Sequence, residues 1–130
     1  MGLHESAKAG KHIDLRSFLT KDNANELDYL NRTPLNCAAE FGIEREDVYI
    51  IRPRNSEVNH NLVMKSLLEQ NADPNLSDNK GNAPLHTIAG IYNPFMSTTT
   101  GPCCHLLIER GAKIDLPNKD GDTPLMILPL

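Results

Sequence analysis

The sequence predicts an all-α fold: a solenoid of stacked helix-turn-helix units joined by β-hairpin-like turns, with two insertions between helices. Three observations lead there. The stretch Asn71–Gly90, NADPNLSDNKGNAPLHTIAG, recurs in part as Asn31-Arg32-Thr33-Pro34-Leu35-Asn36-Cys37-Ala38-Ala39 and again as Asp120-Gly121-Asp122-Thr123-Pro124-Leu125. A second phrase precedes each later turn, Leu67-Leu68-Glu69-Gln70-Asn71-Ala72-Asp73 in one case and Leu107-Ile108-Glu109-Arg110-Gly111-Ala112-Lys113 in the other. Within the phrase, Asp78-Asn79-Lys80-Gly81 is a tight-turn signal, since Asp and Asn bond local backbone and Gly81 tolerates positive φ. Pro84 then sits where a helix starts and its missing N–H costs nothing, and Leu85, Ile88 and Ala89 follow at helical spacing.

Turn, helix, helix, Gly-Ala-Asp and turn again resembles the ankyrin repeat, whose period is about 33 residues around a T-P-L-H-x-A core. The resemblance covers most of the chain and divides it into repeats at about 1–27, 28–77, 78–117 and a partial 118–130.

The first unit opens on Leu3-His4-Glu5-Ser6-Ala7-Lys8-Ala9-Gly10, the L-H-x-A-A-x-x-G part of a repeat without a preceding turn. Leu15, Phe18 and Leu19 are the expected buried face of its second helix. Lys8, Lys11, His12 and Arg16 suit a capping or cut edge. Asp28-Tyr29-Leu30-Asn31 replaces the usual Asp-x-x-Gly, and Asn is, after Gly, the residue that best tolerates the left-handed conformation. The second unit turns Leu35, Ala38 and Ala39 inward and closes its first helix at Phe41-Gly42. Its second helix is expected over Asn61–Gln70, with Leu62, Met64, Leu67 and Leu68 buried. Pro34 and Pro84 lie 50 residues apart, so an insert of about 17 residues beyond the usual period occupies 43–60.

In the third unit Pro84 and Pro124 lie 40 residues apart, which leaves about 7 extra residues within 92–102. Pro102 suits the opening of a helix over Cys103–Arg110. Ala83 stands where Thr would cap, with an expected loss on the order of 1 kcal/mol. After Asp122-Thr123-Pro124-Leu125 the tail Met126–Leu130 is wholly apolar. Two readings stand, a longer array continuing past it or a second molecule covering it, and the first is favoured.

At 130 residues the chain is one domain. Hydrophobic content of 39% with only 5% aromatics suits a thin stack of small helices. A net charge of −4 argues against a nucleic-acid partner or an anionic membrane surface, and no apolar run approaches the about 20 residues of a membrane span. Three cysteines, two of them adjacent, make no disulfide framework and point to a reducing, cytoplasmic compartment.

No catalytic constellation emerges, and no enzyme, metal or cofactor is expected. Neighbours on a helix point about 100° apart, so Cys103, Cys104 and His105 cannot converge on one ion; Cys104 is expected in the core. Cys37 lacks a nameable base, and Asp115, Asp120 and Asp122 lack the ligand series of a calcium loop.

The resemblance implies protein binding through hairpin tips and the exposed side of inner helices. Carried over position by position, the candidate partner contacts are Tyr29, Leu30 and Arg32, then Asn79, Lys80 and Asn82, then Lys119, Asp120 and Asp122, with Glu40, Phe41 and Ile91 on the helix faces. Tyr and Arg are frequent interface hot spots. Tyr49, Arg52 and Arg54 in the long insert are a second candidate surface, suited to an acidic partner. The resemblance also implies that His86 and His4 bond between repeats, leaves that bond in doubt at Asn36, and marks Asn75 as a site of asparaginyl hydroxylation. The expected function is a non-enzymatic protein-interaction module, including modules of bacterial or viral host-directed factors. The rival is the recruiting part of a larger enzyme or ubiquitin-ligase adaptor, and self-association through the apolar end is a further expectation.

Overall fold

The computed structural model describes residues 2–44, 60–91 and 100–127, and of residues 42–44, 91, 100–102, 126 and 127 the backbone alone. Among these, the regular elements are helices α1 (Leu3–Ala9), α2 (His12–Phe18), α3 (Pro34–Glu44), α4 (His60–Glu69), α5 (Pro84–Ile91), α6 (Thr100–Glu109) and α7 (Pro124–Ile127). Most of both inserts, Tyr49, Arg52 and Arg54 included, and the tail 128–130 lie outside the described residues.

The helices form two layers. In the inner layer α1 packs on α3, α3 on α5 and α5 on α7; in the outer layer α2 packs on α4 and α4 on α6. Within each unit an inner helix also lies on its outer partner, α1 on α2, α3 on α4 and α5 on α6. No helix alone could hide its apolar stripe. The core is the seam between the layers, with Leu3, Ala7, Leu35, Ala38, Ala39, Leu85 and Ile88 from inside and Leu15, Val63, Met64, Leu67, Leu68, Cys103 and Leu107 from outside. Small residues at Ala7, Ala38 and Ala39 let the inner helices approach closely.

Each inner helix from α3 on begins at a proline, Pro34, Pro84 or Pro124, as the preset φ of proline favours. The ends follow from left-handed residues: Gly10, Asn71 and Gly111 at φ 70, 66 and 95°. Behind them Lys11 N–H donates to Ser6 O, Ala72 N–H to Leu67 O and Ala112 N–H to Leu107 O, so the last open carbonyls are satisfied. At Gly10 the freedom is also spatial, since a Cβ there would lie 2.5 Å from the His60 ring. His60 Nε2 bonds Lys8 O at 2.9 Å, fastening the start of α4 to the end of α1.

The structure corrects several expected helix faces. In α4 the inward set is His60, Val63, Met64, Leu67 and Leu68, at spacings of three and four. Leu62 falls off that phase and is 41% exposed. Phe18 is likewise 42% exposed, while Leu15 is fully buried and Leu19 half-buried. Helix α6 begins at Thr100, ahead of the expected Cys103, with Pro102 in its first turn, where proline is tolerated. Cys103 rather than Cys104 faces the core.

Ser6 stands where later units carry Ala38 and Ile88, and its hydroxyl is buried with no hydrogen-bond partner among the described residues. Ser6→Ala removes that desolvated group and is expected to stabilise by about 1 kcal/mol, seen as a higher midpoint in thermal unfolding.

Candidate protein-binding surface

Three hairpin turns project from the inner layer with one wiring. Asp28 Oδ1 accepts the N–H groups of Leu30 and Arg32, both at 2.9 Å. Asp78 Oδ1 accepts those of Lys80 and Asn82 at 2.9 and 3.0 Å. Asn118 Oδ1 accepts those of Asp120 and Asp122 at 3.0 and 2.9 Å. The left-handed corner is Asn31 at φ 59°, Gly81 at 79° and Gly121 at 82°, as the sequence predicts for Asn31. Gly81 has a second reason to be glycine, because a Cβ would come 2.6 Å from the backbone nitrogen of Lys119 on the next hairpin.

One side chain per unit ties its helix to the next turn. His4 Nε2 donates to Glu26 O at 2.7 Å and Arg32 O at 3.1 Å. His86 Nε2 donates to Leu116 O at 2.7 Å and Asp122 O at 3.2 Å. Asn36 does the same work with an amide: Nδ2 donates to Leu76 O at 3.1 Å while Oδ1 accepts Thr33 N–H at 3.0 Å. The interlock doubted from sequence therefore persists, because an amide offers the same donor and acceptor pair as a neutral imidazole. In the third unit Ala83 N–H donates to His86 Nδ1 at 3.1 Å, just as Thr33 N–H donates to Asn36 Oδ1 in the second, so the imidazole serves the donor that the amide serves there. Asn25 and Asn75 form a parallel ladder, with Asn25 Oδ1 accepting Asp73 N–H at 2.7 Å and Asn75 Oδ1 accepting Lys113 N–H at 2.9 Å. Asn75 Nδ2 also donates to Gly111 O at 3.0 Å, which places both ends of its amide in the joint between units.

Tyr29 is 86% exposed and Leu30 39%. Asn79, Lys80, Lys119 and Asp120 are exposed at the other tips. Asn82 is half-buried and accepts a hydrogen bond from Asn118 Nδ2 at 3.0 Å. Asp122 is half-buried, its backbone carbonyl accepting from His86. Arg32 corrects the expectation of a free tip contact. Its side chain is 10% exposed, with Nε 3.0 Å from Asp28 Oδ2 and an Nη 3.2 Å from Glu40. Its guanidinium also lies over the Phe41 ring at 5.5 Å from the centroid, and Lys8 Nζ lies over the same ring at the same distance. Phe41, half-buried, is thus within cation–π reach of two cations. The side chain of Ile91 lies outside the described residues.

Lys8 and Asp28 were not among the sequence candidates. The recurrence of Asp28, Asp78 and Asn118 immediately before each tip is the signal for the latter. Burial pushes the Asp28 carboxyl up, but the N–H groups of Arg32 and Leu30 and the Arg32 guanidinium outweigh it and hold the carboxyl below its ordinary value. Arg32 is correspondingly held charged despite burial. The same burial pushes the Cys37 thiol up to about 12, which keeps it protonated and a poor nucleophile at neutral pH. Burial raises Cys104 as well, and the surface pair His105–Glu109 at 2.9 Å makes no site of its own. Among the described residues no group of three His, Cys, Asp or Glu could hold a metal ion, and no helix is long and apolar enough to cross a membrane. The arrangement offers rigidly spaced tips of differing chemistry on one edge.

Paired helices stacked in two layers, each tied to the next by a hairpin and one polar side chain, define a helical repeat solenoid. No protein-family model matches the chain. A fem-1 homologue of Drosophila melanogaster is 42% identical over 59 residues, 45% of this chain. A Rickettsia felis protein named for its ankyrin repeats is 39% identical over 69 residues, 53% of this chain. A human transient receptor potential cation channel, subfamily A member 1, is 29% identical over 130 residues, 96% of this chain. The chain spans 8%, 30% and 9% of the lengths of these three relatives. The chain has the all-α fold of an ankyrin-repeat solenoid and is similar over part of its length to a protein named for its ankyrin repeats.

Proposed function

We propose that this chain is a non-enzymatic protein-interaction module whose partner docks on the first hairpin tip and the adjoining face of the inner helices. One observation carries the reading. The three hairpins share a wiring, yet Tyr29 corresponds to Asn79 and Lys119, and Leu30 to Lys80 and Asp120. Folding the turn does not require an apolar tip, since two copies form it without one. Tyr29 and Leu30, with Leu27 54% exposed beside them, form a protruding apolar patch of the kind that marks interaction sites. Phe41 and Glu40, held by Arg32, extend the patch onto α3. The thiols of Cys37 and Cys104, neither in a disulfide, fit work in a reducing cytoplasm.

A second reading, a recruiting module within a larger protein, is favoured by the small share, 8% to 30%, that this stretch makes up of its relatives.

The test is quantitative recovery of partner proteins on immobilised chain. Tyr29→Ala/Leu30→Asp is expected to cut recovery of a specific partner on the order of tenfold, the loss of one or two hot spots. Asn79→Ala/Lys80→Ala, at the equivalent tip, is expected to leave it unchanged. Equal recovery by both variants, with circular dichroism matching wild type, would remove the first tip from the binding surface.

A further inference from the structure

On the layer opposite the hairpin tips, two grooves meet at Leu62 and Lys65. One, of about 490 Å³, lies between α4 and α6; the other, of about 400 Å³, lies between α2 and α4. The groove between α4 and α6 is mainly apolar and that between α2 and α4 mainly polar; where they meet, exposed Leu62 is flanked by half-buried Leu106 on one side and Leu19 on the other. The walls are cationic. Lys65 borders both grooves, Arg110 the first and Arg16 the second. Two carboxylates stand against these three cations, Glu69 and Glu109, and Glu109 already faces His105 at 2.9 Å. Among the described residues none of Arg16, Lys65 and Arg110 forms an ion pair. The chain as a whole carries −4, so a trough with surplus cations on an acidic protein is a local feature of this face.

We propose that this trough docks a segment of a partner protein in which two apolar side chains are flanked by Asp or Glu. The apolar pair covers Leu62 and Leu106, and the flanking carboxylates meet Lys65 on one side and the fork of Arg110 or Arg16 on the other. Apolar contact supplies affinity, whereas the cations select against basic or neutral segments by desolvation without a partner. Because the charges are exposed, the electrostatic part weakens as salt is raised. The site lies on α2, α4 and α6 and is independent of the first hairpin.

The experiment selects a phage-displayed random peptide library on the immobilised full chain. Enriched peptides are then resynthesised with fluorescein and titrated by anisotropy. Enriched sequences are expected to carry an acidic excess around an apolar pair. Their affinity should fall on the order of tenfold for Lys65→Glu/Arg110→Glu, two exposed pairs turned repulsive. Affinity should fall again for Leu62→Asn and remain unchanged for Tyr29→Ala. Enrichment without acidic excess, undiminished binding to the charge-reversed chain with a wild-type circular dichroism spectrum, or loss with Tyr29→Ala would each overturn the proposal. So would light scattering that shows a wild-type dimer abolished by Lys65→Glu/Arg110→Glu, since the occupant would then be a second copy.

Discussion

His86→Ala is expected to lower the unfolding free energy by about 2–4 kcal/mol in urea denaturation, while His86→Asn loses less than half of that. The imidazole accepts Ala83 N–H at 3.1 Å and donates to Leu116 O at 2.7 Å and Asp122 O at 3.2 Å. Both it and Ala83 are 2% exposed, so truncation strands the buried Ala83 N–H and takes the imidazole from Leu116 O at the joint between units, while Asp122 O keeps the Asn118 N–H at 2.8 Å. Each stranded group costs on the order of 1–3 kcal/mol where water cannot reach it. The Asn variant has a precedent inside the same chain, since Asn36 takes both Thr33 N–H and Leu76 O at the equivalent joint. It keeps a donor and an acceptor but not the second carbonyl, hence the partial loss. Equal destabilisation by Ala and Asn would mean that ring packing rather than the bonds matters at this position.

Leu85→Ala is expected to cost about 2–5 kcal/mol, a large share of the about 5–15 kcal/mol that holds a domain of this size. Leu85 is 1% exposed on α5, the inner helix packed between α3 and α7. A cavity there loosens contacts to both neighbours, and in a one-dimensional stack each unit is held mainly through the units beside it. Leu125 holds the same place in α7 and is 55% exposed. Leu125→Ala is therefore expected to change stability by no more than about 0.5 kcal/mol. Thermal or urea unfolding of the two variants side by side checks the contrast, and similar losses would contradict the described order of the inner layer.

The turns, the helix starts at Pro34, Pro84 and Pro124, and the left-handed Asn31 were legible because each depends on the chemistry of a few adjacent residues. Helix faces were less so. In Leu62-Val63-Met64 three consecutive apolar residues leave the phase of α4 undetermined until α3 and α2 are packed against it, and Cys103-Cys104 poses the same ambiguity. Asn36 was doubted because the joint was read by residue type; its amide carries the same bonding pair as histidine. From sequence Arg32 looks like a free tip because Glu40 meets it only once the hairpin folds back on α3, although Asp28, four residues before it, is in plain view. The apolar tip at Tyr29 and Leu30 was legible from comparison of the three copies. The outer trough was not, because it depends on Leu62 turning outward.

The interlock between units can be read directly from the nitrogen-15 spectrum of the His86 ring at neutral pH. With Ala83 N–H pointing at Nδ1 and two carbonyls at Nε2, the account requires the neutral ring protonated at Nε2, with Nδ1 unprotonated and coupled to the Ala83 amide. A ring protonated at Nδ1, or one averaging between both forms as in free imidazole, would contradict it.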